Sequence, residues 1–124
     1  MKTVLIADDQ PSIRMLVAAT LSSLDDVTVI QASDGDEAWS LFQEHRPDLA
    51  LLDVQMPGRT GLDLTEAIRR HPGFAGVPIV LLTAGAAQSE VEAGIASGAN
   101  EYLVKPFSPI NLRHRVESLL AIRT

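Results

Sequence analysis

Apolar residues come in five short runs along the chain: KTVLIA (Lys2–Ala7), VTVIQA (Val27–Ala32), DLALLD (Asp48–Asp53), PIVLLT (Pro78–Thr83) and YLVK (Tyr102–Lys105). Runs this short, apolar on consecutive positions, predict strands of a parallel sheet buried on both faces. The segments between them follow a helical period. Pro11 suits an opening helical turn, and Leu16, Val17, Thr20, Leu21 and Leu24 recur at helical spacing after it. Asp34 and Glu37 form a capping-box pair before AWSLF, and Thr60 and Asp63 offer a similar start. Ser108-Pro109 supplies an N-cap and a first-turn proline, and Gly98 is placed to close the fourth helix in a left-handed cap.

Strand and helix therefore alternate five times, (βα)5, which predicts an α/β fold: one five-stranded parallel sheet, doubly wound, with helices on both faces. In such sheets ligands gather outside the carboxyl ends of the strands, near the switch in strand order. Those ends carry Asp8 and Asp9 after the first strand, Asp53 at the third, Thr83 at the fourth and Lys105 at the fifth. Each alone has an ordinary explanation: an acid facing a helix N-terminus, a strand-end hydroxyl, a snorkelling lysine. The topology, however, brings all five to one edge.

Two unit charges 4 Å apart repel by about 4 kcal/mol at an effective dielectric near 20, so three clustered carboxylates need positive charge beside them. Lys105 supplies one, and a divalent cation bound by oxygens supplies the rest. Magnesium, which takes one or two carboxylates, several waters and a substrate phosphate, suits so few protein ligands better than calcium does. An ionised aspartate there can attack phosphorus and form an acyl phosphate. The cation and the ammonium would neutralise the oxygens of the transferring group.

Composition narrows the setting. A chain of 124 residues, 46% hydrophobic, suits one domain. The absence of cysteine excludes disulfides, thiolate catalysis and cysteine-ligated zinc, and fits a reducing cytoplasm. A net charge of −6 argues against binding a nucleic-acid backbone. The N-terminal apolar run is too short for a signal peptide, and no run approaches the roughly 20 residues of a spanning helix. A cytoplasmic protein that contacts neither membrane nor nucleic acid directly is expected.

The stretches "LIADDQPSIR", "ASDGDEAW", "PDLALLDVQMPGRTGLDL", "PIVLLTA" and "GANEYLVKPF", with a last helix, resemble the receiver domains of two-component response regulators, of the chemotaxis type. The resemblance covers nearly the whole chain and implies the flavodoxin-like strand order 2-1-3-4-5 known for this family. It implies one receiver domain over residues 1–124, without an output domain: a stand-alone regulator, or the receiver piece of a longer protein. Asp53 would be the phosphoacceptor, supplied by a histidine kinase or phosphotransfer protein, or by small donors such as acetyl phosphate. Asp9, Asp53 and the backbone carbonyl of Gln55 would bind Mg2+ directly, and Asp8 largely through metal-bound water. Lys105 would hold one phosphoryl oxygen and Thr83 another, while Tyr102 turns inward behind Thr83. The surface of the fourth helix, fifth strand and fifth helix would then change shape for a target protein or output domain. Such a domain is a phosphoacceptor that catalyses its own phosphorylation and dephosphorylation, not a conventional enzyme.

The resemblance also implies a small residue at Ala84, a cis bond at Lys105-Pro106, a position at Gly61 that tolerates little side chain, and an influence of Gln55 and Gly85 on the phosphoryl lifetime. Glu101 and Arg115 fall where some relatives pair across a homodimer, although the usual acidic partner is here Asn111. His45, His71 and His114 read as surface residues, Trp39 as core packing, and Met15 and Met56 as gap fillers. Three rival functions remain at this level. A nucleotide or flavin protein would need a glycine- or hydroxyl-rich first loop, where this chain has ADDQPS. An aspartate-nucleophile phosphatase of one large group would carry a second aspartate at position 55. A phosphorylation-blind interaction module would not need all five site residues.

Overall fold

A computed structural model describes residues 2–85 and 88–122. The chain alternates β1 (Lys2–Ala7), α1 (Pro11–Leu21), β2 (Val27–Ala32), α2 (Gly35–His45), β3 (Leu49–Asp53), α3 (Gly61–Arg70), β4 (Ile79–Thr83), α4 (Gln88–Ser97), β5 (Glu101–Val104) and α5 (Pro109–Ile122). All strand pairs are parallel and the order is β2-β1-β3-β4-β5. The strand boundaries lie within one residue of the apolar runs. Complete burial holds for β3 and β4 and for Val4–Ala7 of β1. The edge strands β2 and β5 depart from the predicted two-sided burial, because each has only one neighbour, and Thr28, Gln31 and Tyr102 face solvent.

Alternation along each strand divides the core in two. Val4, Ile6, Leu49, Leu51, Val80 and Leu82 pack against Val17 and Leu21 of α1 and Leu112 and Val116 of α5. Leu5, Ala7, Ala50, Leu52, Ile79 and Leu81 pack against Ala38 and Phe42 of α2 and Leu64 and Ile68 of α3. Phe42 meets Phe74 edge to face at 4.8 Å. Leu24 lies beyond the end of α1 yet still packs on the first of these layers.

The caps explain where the helices begin. Thr60 and Asp63 complete a reciprocal box, each side chain accepting the other's backbone N–H at 3.1 Å. At α2 the box is only half made: Asp34 accepts from Glu37 N–H at 2.7 Å, whereas the Glu37 carboxylate accepts from Ser33 N–H at 2.6 Å, one residue ahead of the cap. Ser108 caps α5 through Asn111 N–H at 3.0 Å. Gly98 takes φ +110° after α4, as the left-handed closure requires.

Two single-residue expectations change. Met15 is 67% exposed rather than a gap filler, since it stands two positions from Val17 and so on the opposite side of α1. Trp39 packs against the core as expected, half-buried and stacked at 6.3 Å on Phe42, with the Arg59 guanidinium 5.5 Å from its ring centre. Met56 is buried, and His45 and His114 are exposed. His71, expected at the surface, is the second change: it is half-buried, stacking on Phe74 at 4.2 Å. Among the described residues no helix is long and apolar enough to cross a membrane.

Thr60→Ala is expected to lower the unfolding free energy by about 1 kcal/mol in urea titrations, and Thr60→Ser to restore most of it. Equal midpoints for the three proteins would contradict the capping role.

Candidate functional site at the carboxyl edge of the sheet

In the 2-1-3-4-5 order the sequence of strands across the sheet reverses beside β1, so that β1 and β3, parallel neighbours, flank the switch point. Asp8 follows β1 directly and Asp53 ends β3, which places both carboxylates at the same edge. Asp8 is fully buried, Asp53 is 4% exposed, and Asp9 is exposed at the rim. One carboxylate oxygen from each lies within 4.8 Å of the others. Lys105 arrives from the end of β5, its N–H donating to Thr83 O at 2.7 Å and its peptide bond to Pro106 cis, as expected. Its Nζ stands 2.8 Å from Asp8 Oδ2 and 3.3 Å from Asp53 Oδ2.

The loops are held by their own backbone. Asp53 Oδ1 accepts from Gln55 N–H at 3.2 Å and Asp8 Oδ1 from Gln10 N–H at 2.9 Å. Gly61 lies against the Asp53 backbone so closely that a Cβ there would sit 2.9 Å from the Asp53 carbonyl carbon, which bears out the intolerance expected at this position. Thr83 is buried and its hydroxyl donates to Gly85 O at 2.5 Å. Ala84, Gln55 and Pro106 line the opening above Asp53. Tyr102 is 38% exposed and lines one side of a small space shared with Val54, Leu81, Thr83 and Gly94.

Two contributors escaped the sequence reading. Arg14 donates through Nη1 to Asp8 O at 2.7 Å, and Gln10 Oε1 accepts from Lys105 Nζ at 3.4 Å. Gln10 is the N-cap of α1 and Arg14 lies in its first turn, both just after the Asp8-Asp9 pair, and that proximity was the available signal. Glu101 and Arg115, which fall where some relatives pair across a homodimer, pair here within one chain at 2.7 Å.

Three carboxylates face one ammonium, and the imbalance is felt at Asp53. Burial raises its pKa from the ordinary 3.8 to about 6, the charge of Asp8 adds to that rise, and Gln55 N–H and Lys105 oppose it. Asp8 Oδ2 is buried with an ion pair but no hydrogen bond. A set of hard oxygen donors with excess negative charge fits a small divalent cation.

Over residues 4–117 the sequence matches the response regulator receiver domain, and the chain belongs to that family of two-component phosphoacceptor signalling domains. It is 40% identical over 117 residues to the probable transcriptional regulator ycf27 of Guillardia theta, covering 94% of this chain and 44% of the relative. It is 40% identical over 118 residues to the DNA-binding response regulator MtrA of Mycolicibacterium smegmatis, covering 94% of this chain and 50% of that protein. The chain thus spans about half the length of these relatives. The structure of the chemotaxis response regulator CheY4 of Vibrio cholerae superposes with a TM-score of 0.89 at 36% identity, covering 96% of this chain and 98% of that one. The flavodoxin-like receiver fold is therefore established by both sequence and topology.

Because Asp53 holds its proton more tightly folded than unfolded, it favours the folded state most below about pH 4, and this contribution is lost as pH rises through about 6. With a chelator present, Asp53→Asn is expected to gain thermal stability over the parent as pH rises from 5 to 8. A parallel pH dependence for the two proteins would show that Asp53 carries no such strain.

Proposed function

We propose that Asp53 accepts a phosphoryl group from a histidine kinase or phosphotransfer protein, and that this switches the surface of α4, β5 and α5 toward a target or output domain. The carrying observation is the placement of Lys105 Nζ 3.3 Å from Asp53, beside Asp8 and Asp9 and under an open approach. Asp9, Asp53 and the Gln55 carbonyl would hold Mg2+, with Asp8 acting through its waters. When bound, the cation offsets carboxylate repulsion and the charge of the incoming phosphoryl oxygens.

The step conserves its atoms simply. An ionised Asp53 oxygen forms a bond to phosphorus as the donor's P–N bond breaks, the donor imidazole leaves with the electron pair, and no general base is needed. Lys105 then holds one phosphoryl oxygen. Thr83, freed from Gly85, donates to another, and Tyr102 turns into the space behind it. Modification adds nearly two negative charges at a site already short of cations, which biases the surface between two shapes. Target binding must in turn favour the modified state. Gln55 flanks the phosphoryl position and would tune water attack, whereas Gly85 brings no side chain to it. We take the described residues as one receiver domain that does its signalling in the cytoplasm by protein contact. A homodimer on α4, β5 and α5 would have to accommodate the internal Glu101–Arg115 pair.

Incubation with acetyl phosphate should add one phosphoryl group by intact mass in the presence of Mg2+, neither without it nor in Asp53→Asn. Failure of both acetyl phosphate and beryllofluoride to engage the parent protein would overturn this function.

A further inference from the structure

The loop between β3 and α3, residues 54–60, carries Gln55 over the site, and its far side is held by the start of α2. Gly35 N–H donates to Pro57 O at 3.1 Å. The Arg59 backbone lies so close to Gly35 that a Cβ there would stand 2.5 Å from the Arg59 carbonyl carbon. Gly58 takes φ +75°, and a Cβ on it would lie 2.7 Å from Asp36 Oδ2. Above this contact, the Arg59 guanidinium sits 5.5 Å from the centre of the Trp39 ring and 3.5 Å from Asp36 Oδ1.

The salt bridge is exposed on both sides, 43% and 74%, so it contributes little to stability. The cation over the ring has a geometric consequence instead: it ties the last turn of the loop to a helix that supplies none of the five clustered site residues. We infer that Arg59 and Trp39 form a clamp that positions the 54–60 loop, and with it the Gln55 carbonyl, for a divalent cation at Asp53. Arg59 acts here as a positioning residue, touching neither metal nor phosphoryl group. The inference rests on the proposed Mg2+ site. Coupling runs both ways: whatever fixes the loop from the metal side must alter the surroundings of Trp39. Trp39 is the only tryptophan in the chain, so its emission reads the clamp directly.

The test is a Mg2+ titration of the whole chain, followed by amide NMR at Asp9, Asp53 and Gln55 and by tryptophan emission, for the parent, Arg59→Ala and Arg59→Lys. Arg59→Ala should weaken Mg2+ binding by about tenfold and abolish the Mg2+-dependent emission change, with amide shifts outside residues 35–60 unaltered. Arg59→Lys, which keeps the charge but not the planar stacking, should fall between the two. If Arg59→Ala does not fold, Trp39→Leu read by NMR replaces it, with the same expected loss. Parent protein that binds Mg2+ with the same affinity as the variants overturns the clamp alone. Parent protein that shows no Mg2+-dependent shifts overturns the metal site, and the clamp's role with it.

Discussion

Carboxylate crowding at the junction of β1 and β3 is the constraint around which this molecule is arranged. Two adjacent parallel strands end in aspartates, and a third carboxylate lies at the rim. Left alone, that charge would oppose the packing of Val4–Ala7 against Leu49–Leu52 immediately beneath it. Lys105 relieves part of the repulsion through two contacts near 3 Å, while burial first and the Asp8 charge second keep the Asp53 pKa raised. The site is thus left with more carboxylate than ammonium, as the proposed cation uptake and phosphoryl response would require.

The scaffold beneath has to be stiff for such a response to reach the surface. Fully buried β3 and β4 supply that stiffness, and Arg69 ties down the end remote from the site. Its guanidinium donates to Gly98 O, Val77 O and Asn100 Oδ1 at 2.7–2.8 Å, joining the ends of α3 and α4 to the loop before β4. Burial lowers its pKa from the ordinary guanidinium value, and these oxygens replace the water it has lost. Under the proposed function, a charge change at Asp53 would act on a fold whose α3 and α4 ends are already tied together by Arg69.

The same residues that make the site also organise its loops. Asp8 and Asp53 each accept a backbone N–H two residues on, so their orientation is set before any ligand arrives. Close approaches by Gly61 and Gly35 seat the loop after β3 from two sides. Preorganisation of this kind lowers the ordering cost of binding, which is how a site with few protein ligands can hold a strongly hydrated ion.

The alternation of apolar runs and capped helical stretches determined the element order, the parallel sheet and the edge at which chemistry gathers, because period and capping are local properties of the chain. Asp8, Asp9, Asp53, Thr83 and Lys105 were legible for the same reason: each sits at a strand end, and strand ends are readable. The tertiary structure decided what depends on distance between segments far apart in sequence. It left Met15 in solvent, sent the Glu37 carboxylate to Ser33 instead of Asp34, brought Arg14 to the Asp8 carbonyl, and set Trp39 beside Arg59. None of these follows from periodicity, since which face of a helix or loop meets another is settled only when the whole chain closes on its core.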